Sequence, residues 1–153
     1  MNIVLYQPEI PQNTGAIGRT CLVAGARLHL IHPLGFVMNE KHLARAGMDY
    51  WKNVDVTEYA DFDDFLAKNN GARIFLAETC GAISYTDAKF EKDDFVIFGC
   101  ETKGLPNWML DSYADQIISI PMKIDSRSLN LSVTVGIILY EALRQTGFEN
   151  LTL

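Results

Sequence analysis

Five short runs of β-branched, aromatic and other apolar residues recur along this chain, at Ile3–Tyr6, Arg27–Ile31, Arg73–Ala77, Phe95–Phe98 and Ile117–Ile120. Helical stretches fall between most of them. This alternation allows few folds, because parallel strands need crossover connections, and helices used as crossovers cover both faces of the sheet. The expected helices are Thr14–Ala24, begun by Asn13 or Thr14 as a cap and ended by Gly25; Glu40–Ala46; Asp61–Lys68, with acidic residues in its first turn; Asn107–Ser112; and Leu129–Gln145. Val54–Tyr59 reads as an edge strand. No repeat or linker interrupts the pattern, so residues 1–153 are expected to form a single α/β domain with a mostly parallel sheet.

Composition removes several alternatives. A hydrophobic content of 48% and a mean hydropathy of +0.04 are too apolar for a disordered chain. No run approaches the ~20 apolar residues of a spanning helix, and Met1-Asn2-Ile3 does not open a secretory signal. Three scattered cysteines, Cys21, Cys80 and Cys100, suit neither a disulfide scaffold nor a zinc site and fit a reducing cytoplasm. The net charge of −6 argues against gripping nucleic acid with the whole surface. Charge is uneven, however. Residues 1–52 carry five Lys/Arg against three Asp/Glu, residues 53–120 five against thirteen, and residues 121–153 three against three. A polyanion is therefore expected to dock on the two ends of the chain.

The last helix is apolar nearly all round from Leu129 to Leu143. One covering layer of a small domain would leave part of it exposed, so a two-fold subunit interface is expected there.

Ligands of open α/β sheets bind beyond the carboxyl ends of the strands. Three segments with polar or glycine-rich chemistry have that position. In Gln7–Arg19, two prolines stiffen the loop, and Asn13 and Thr14 stand at a helix start, where free backbone N–H groups favour anions. Arg19 is a cation near a helix N-terminus and needs a partner, either Glu9 or Glu101 or an anionic ligand. In Phe98–Pro106, Gly99 and Gly104 permit tight turning around Glu101, but neither P-loop nor dinucleotide spacing is present. Ile120–Ser132 carries Ser126, Ser128, Asn130 and Ser132, more hydroxyl and amide groups than one helix cap needs. No GxSxG elbow exists, and His29, His32 and His42 all fall in the first third and read as structural. Cys21, Cys100, Trp51 and Trp108 read as packing residues.

Together the segments LYQPEIPQNTGAIGRT (5–20), HLIHPLGF (29–36), FGCETKGLP (98–106) and IPMKIDSRSLNLS (120–132) resemble the SPOUT family of RNA methyltransferases, in its small single-domain branch. The resemblance runs essentially end to end. It implies an α/β fold with a deep C-terminal trefoil knot, S-adenosyl-L-methionine as cofactor, a homodimer in the cytoplasm, and 2′-O-methylation of the wobble cytidine or uridine of transfer RNA, with leucine transfer RNAs as substrates and the anticodon stem-loop as the docking partner. Ribosomal RNA as substrate, or a non-catalytic RNA-binding module of the same fold, are the alternatives. It implies catalytic-site roles for Asn13, Arg19, Glu101, Ser128, Asn130 and Tyr140, with Arg19 meeting the RNA phosphate and assisting the 2′-hydroxyl. It places the cofactor among Ala77, Glu78, Thr79, Gly99, Glu101, Gly104, Ile120, Met122, Ser128 and Leu129, and it needs no metal. RNA is expected along a stripe of Arg19, Arg27, Lys41, Arg45, Lys123 and Arg127. Ala16, Cys100, Lys103 and Val133 depart from the family pattern, which commonly has Asn, Pro, Arg and Asn there.

Overall fold

The structure is a computed structural model that describes residues 1–37, 49–149 and 151–152. The expected helix Glu40–Ala46, with Lys41, His42 and Arg45, lies outside the described residues. Seven strands form one sheet in the order β3-β2-β1-β6-β4-β7-β5. They are β1 (Asn2–Tyr6), β2 (Arg27–Ile31), β3 (Val56–Tyr59), β4 (Ile74–Ala77), β5 (Ile83–Ser84), β6 (Phe95–Phe98) and β7 (Ile117–Ser119). Every pairing is parallel. Among the described residues four α-helices cover it: α1 (Pro11–Ala24), α2 (Phe62–Lys68), α3 (Asn107–Ser112) and α4 (Leu131–Gln145).

Alternation along the strands sorts the core into two layers. Ile3, Leu5, Leu28, Leu30, Val96 and Phe98 pack with Ile17 and Cys21 of α1 and Ile138 and Leu139 of α4. The intervening Val4, Ile31 and Ile97 pack on the other face with Phe62 and Phe65 of α2 and Met109 of α3. Cys21 behaves as an apolar residue, since burial pushes its thiol up to about 12. Trp51 is buried, as expected, while Trp108 is half exposed, its indole edge-on to Phe62 at 5.4 Å.

Two departures from the sequence reading have physical causes. Strand β5 was not expected; its two residues have no pattern of their own and are held by β7, through Ile83–Ile118 and Ser84–Ser119. Helix α1 starts at Pro11, three residues before the expected Thr14, so Asn13 and Thr14 are buried in its first turn rather than capping it. Proline at the first helical position has its φ preset for the helix and lacks an N–H that would have no intrahelical partner. The other end stops where expected, at Gly25 with φ 65°.

One crossing positions the site. The strap 78–82 joins β4 to β5 by passing over β7, which slots between them. A Cβ on Gly81 would come within 2.7 Å of the Ile118 carbonyl carbon, so only glycine lets the two backbones touch. The Ser119 hydroxyl donates to the Gly81 carbonyl at 2.9 Å.

His29 sits in the core with a complete set of partners. Its Nε2 donates to Asn2 Oδ1 at 3.2 Å, and its Nδ1 accepts from the Tyr59 hydroxyl at 2.9 Å. Burial holds the ring neutral and lowers its pKa from 6.5 to about 4. Between those values the unfolded chain binds a proton that the native one refuses, so stability drains as pH falls through this window, by about 3 kcal/mol in full. Asp94, whose carboxyl burial pushes up, works in the opposite direction. Urea unfolding of the wild type is expected to weaken from pH 7 to pH 4.5, and His29→Phe to flatten that slope. Equal slopes would refute the assignment.

Candidate functional site

The loops after β1, β4, β6 and β7 converge at the carboxyl ends of the strands, where side chains bolt them together. Glu101 accepts from the Glu9 amide at 2.8 Å, the Ile10 amide at 3.3 Å and Asn13 Nδ2 at 3.0 Å. Its carboxylate thus satisfies, from a distant loop, the amides of Glu9 and of the cap residue Ile10, and fixes the Asn13 side chain in the first turn of α1. The pairing is reciprocal, because Glu9 accepts from the Thr102 amide and hydroxyl. Asn13 in turn accepts from Asn130 Nδ2 at 3.0 Å, and Asn130 Oδ1 caps α4 by accepting from the Ser132 and Val133 amides. A relay from Glu101 through Asn13 to Asn130 therefore joins the three sequence motifs.

A second clamp closes the β6 loop. Glu78 accepts from the Leu105 amide at 2.7 Å, directly beside Gly104 at φ 68°. A Cβ on Gly104 would stand 2.4 Å from the Glu78 carboxylate, and one on Gly99 would stand 2.2 Å from the Gly104 carbonyl carbon. Both glycines serve the turn itself.

These loops and one face of α4 enclose a cleft of about 480 Å³. All ten residues expected around the cofactor line it, together with Asn13 and Asn130. Its apolar lining includes Ile118, Ile120, Leu131 and Ile138, while Thr79, Glu101, Thr102 and Ser128 add polar groups. Ile10 and Leu131 fall inside the singled-out segments without having been named for the cofactor, and of the lining residues not named only Ile118, Thr134 and Ile138 lie outside those segments. Leu131, Thr134 and Ile138 had a signal, since spacings of three and four place them on one helical face.

Other expected residues are not brought to this cleft. Arg19 is exposed on α1, with its guanidinium 5.5 Å from the centre of the Tyr50 ring. It pairs with neither Glu9 nor Glu101, which are engaged with backbone amides. Tyr140 is exposed on α4, nine residues from Leu131 and so on the opposite face. Arg27 sits at the amino end of β2, ion-paired to Asp55 at 3.4 Å, at the end of the sheet opposite the cleft. Lys123 and Arg127 are exposed on the loop leading to α4. Helices α1 and α4 pack together, and their outer faces expose Val23, Val133 and Tyr140. Exposed Ile10 and Leu129 also line the cleft, so this apolar face begins on its rim.

The model of the SpoU rRNA Methylase family matches residues 1–140. The tRNA (cytidine(34)-2'-O)-methyltransferase of Escherichia coli (strain K12) is 46% identical, covering 100% of this chain and 98% of its own length. A solved structure concerning the 2-OH methylation of C/U34 on tRNA is 45% identical, covers 95% of both chains and superposes with a TM-score of 0.89. An AdoMet-bound rRNA methyltransferase from Sinorhizobium meliloti is 26% identical, with a TM-score of 0.80 over 94% of this chain and 55% of its own. With most of its length matched by the family model and nearly half its residues shared with a full-length relative, the chain belongs to the SpoU rRNA Methylase family, within the SPOUT methyltransferases expected from its motifs.

Proposed function

We propose that this chain methylates the ribose 2′-oxygen of nucleotide 34, cytidine or uridine, in transfer RNA, using S-adenosyl-L-methionine. The observation that carries the reading is the single cleft formed where the three motif loops are bolted together by the Glu101–Asn13–Asn130 relay. Its chemistry fits the cofactor. The apolar side chains of Ile120, Leu129 and Ile138 would flank an adenine, and the hydroxyls of Thr79 and Ser128 would meet polar groups of the ribose or the amino-acid tail. Among the described residues, no hydrogen-bond partner is found for the Ser128 side chain. The bound cofactor supplies a methyl group already activated by a positive sulfonium.

The chain must then hold the RNA and assist its hydroxyl. A guanidinium is a poor general base. The role of Arg19 is electrostatic: it holds a phosphate and stabilises negative charge developing on the 2′-oxygen. Water or an RNA phosphate takes the proton. Arg19 faces away from its own cleft, and a homodimer resolves this. The apolar face of α1 and α4 begins on the cleft rim and carries both Arg19 and Tyr140. A two-fold partner docked there would present its own Arg19 beside this cleft and receive the same service in return. Lys123 and Arg127 extend the positive surface toward an anticodon stem-loop. The trefoil knot belongs to this reading too, and the strap 78–82 crossing over β7 supports it. A cytoplasmic location follows from the substrate. Among the described residues, no helix is long and apolar enough to cross a membrane.

Incubation of total RNA with protein and cofactor, followed by mass spectrometry of the oligonucleotides from a ribonuclease digest, is expected to find 2′-O-methylation at position 34, with leucine transfer RNAs the first to assay. Methylation of ribosomal RNA alone would refute the substrate reading. Arg19→Ala is expected to lower turnover by about a hundredfold with cofactor affinity kept. Near-normal turnover with normal RNA binding would remove Arg19 from the mechanism.

Glu101→Gln is expected to cost about 1–3 kcal/mol of unfolding free energy, because an amide cannot accept from three donors as a carboxylate does. Denaturant titration checks this, and an unchanged midpoint would refute the relay's structural role.

A further inference from the structure

Arg19 has no acidic partner among the described residues, yet it is not left to solvent alone. Its guanidinium lies 5.5 Å from the centre of the Tyr50 ring, within cation–π range. Tyr50 is half-buried, and its hydroxyl donates to the Gly15 carbonyl at 3.0 Å. Helix geometry makes that carbonyl the acceptor for the Arg19 amide as well, so ring and guanidinium are referred to the same turn of α1. The neighbouring Trp51 fixes the base of this arrangement. It is buried against α1, and a Cβ on Gly18 would come within 2.4 Å of its indole. The short 3-10 turn Asp49–Asn53 is thereby locked onto the helix, and the Tyr50 ring is a rigid platform rather than a swinging side chain.

We propose that Tyr50 is a positioning residue for Arg19: its ring, pinned to the Gly15 carbonyl, holds the guanidinium extended on the outer face of α1 in the orientation that meets the RNA. This rests on the reading of Arg19 given above. A ring, unlike a carboxylate, ties none of the guanidinium donors into an ion pair, which leaves them available to phosphate and sugar oxygens. A carboxylate partner would occupy those same donors. An aromatic platform orients the charge without neutralising it, which is what a residue acting on an anion needs. Unsupported, the side chain would sample many rotamers and meet the 2′-oxygen in few of them.

The test is a double-mutant cycle under single-turnover conditions with enzyme in excess, using transfer RNA and S-adenosyl-L-methionine. Tyr50→Leu is expected to slow methyl transfer about tenfold, with cofactor affinity and unfolding midpoint close to wild type. Tyr50→Phe, which keeps the ring and loses the pin, is expected to recover most of the rate. Tyr50→Met replaces Tyr50→Leu if the latter fails to fold. In the Arg19→Ala background the removal of Tyr50 is expected to cost nothing further, because there is no guanidinium left to orient. An equal fold-loss in both backgrounds, a parallel fall in cofactor affinity, or a Tyr50→Phe rate as low as that of Tyr50→Leu would overturn the proposal. If Arg19→Ala itself turned over normally, the mechanistic reading of Arg19 would fall, and this proposal with it. A crippled Arg19→Ala combined with an additive Tyr50→Leu would refute the positioning role alone.

Discussion

The site depends on one carboxylate that meets three donors from another part of the chain. Glu101 lies about ninety residues from Glu9, Ile10 and Asn13, yet it accepts from all three. The start of α1 leaves N–H groups without intrahelical acceptors and carries the positive end of a helix dipole, so a fixed anion there is favoured twice over. With Glu101 in place, Asn13 is held with its oxygen toward Asn130, and Asn130 is held at the cap of α4. The cleft is therefore a consequence of helix capping carried out at long range. Residues that a motif comparison marks as catalytic act here first as joints.

The sheet supplies the second constraint. All seven strands run parallel, so each of the converging loops leaves from the same end. Strand β7 completes this only by passing under the strap 78–82, and Gly81 is the residue that permits the contact. Any side chain at that position would push the strap away from Ile118 and open the wall that carries Glu78 and Thr79. Glu78 then ties the strap to the β6 loop through the Leu105 amide. Strap, turn and relay are thus three fastenings of one surface, each made from residues far apart in sequence.

How far these features were legible follows from the range of the forces involved. Strands β1 and β6 were readable because burial on both faces gives a nearly unbroken apolar run, and β2 because Leu28, Leu30 and Ile31 frame its buried His29 before the stop at Pro33. The end of α1 was readable because Gly25 is a local stop. Its start was not, since the acceptor that stabilises it comes from Glu101, and nothing near Pro11 reveals that. Strand β5 was invisible for the same reason, being defined by its pairing with β7. The ten cleft positions could be named from motif resemblance, whereas Thr134 and Ile138 needed the phase of α4. Helical phase also held an unread warning. Six residues separate Asn13 from Arg19, which puts them about 240° apart on a helix, so one chain cannot aim both into one cleft.

The acidic net charge looks hostile to an RNA substrate until the charges are assigned to partners. Arg27, Lys68, Arg73, Lys92 and Arg144 are ion-paired to Asp55, Asp64, Asp94, Glu149 and Glu141. All of these pairs lie in the framework rather than in the cleft loops. Arg19, Lys52, Lys89, Lys103, Lys123 and Arg127 have no ion pair among the described residues, and of these Lys103, Lys123 and Arg127 lie on loops at the carboxyl ends of the strands. At physiological salt the Debye length is about 8 Å, so acidic residues at the far end of the sheet are screened from a ligand at this end. What an RNA would meet is the local field of unpaired cations. The same logic bears on Arg19, which lies within cation–π range of an aromatic ring instead of against a carboxylate: an ion pair would cancel its contribution to that field, whereas a neutral ring leaves the charge in place.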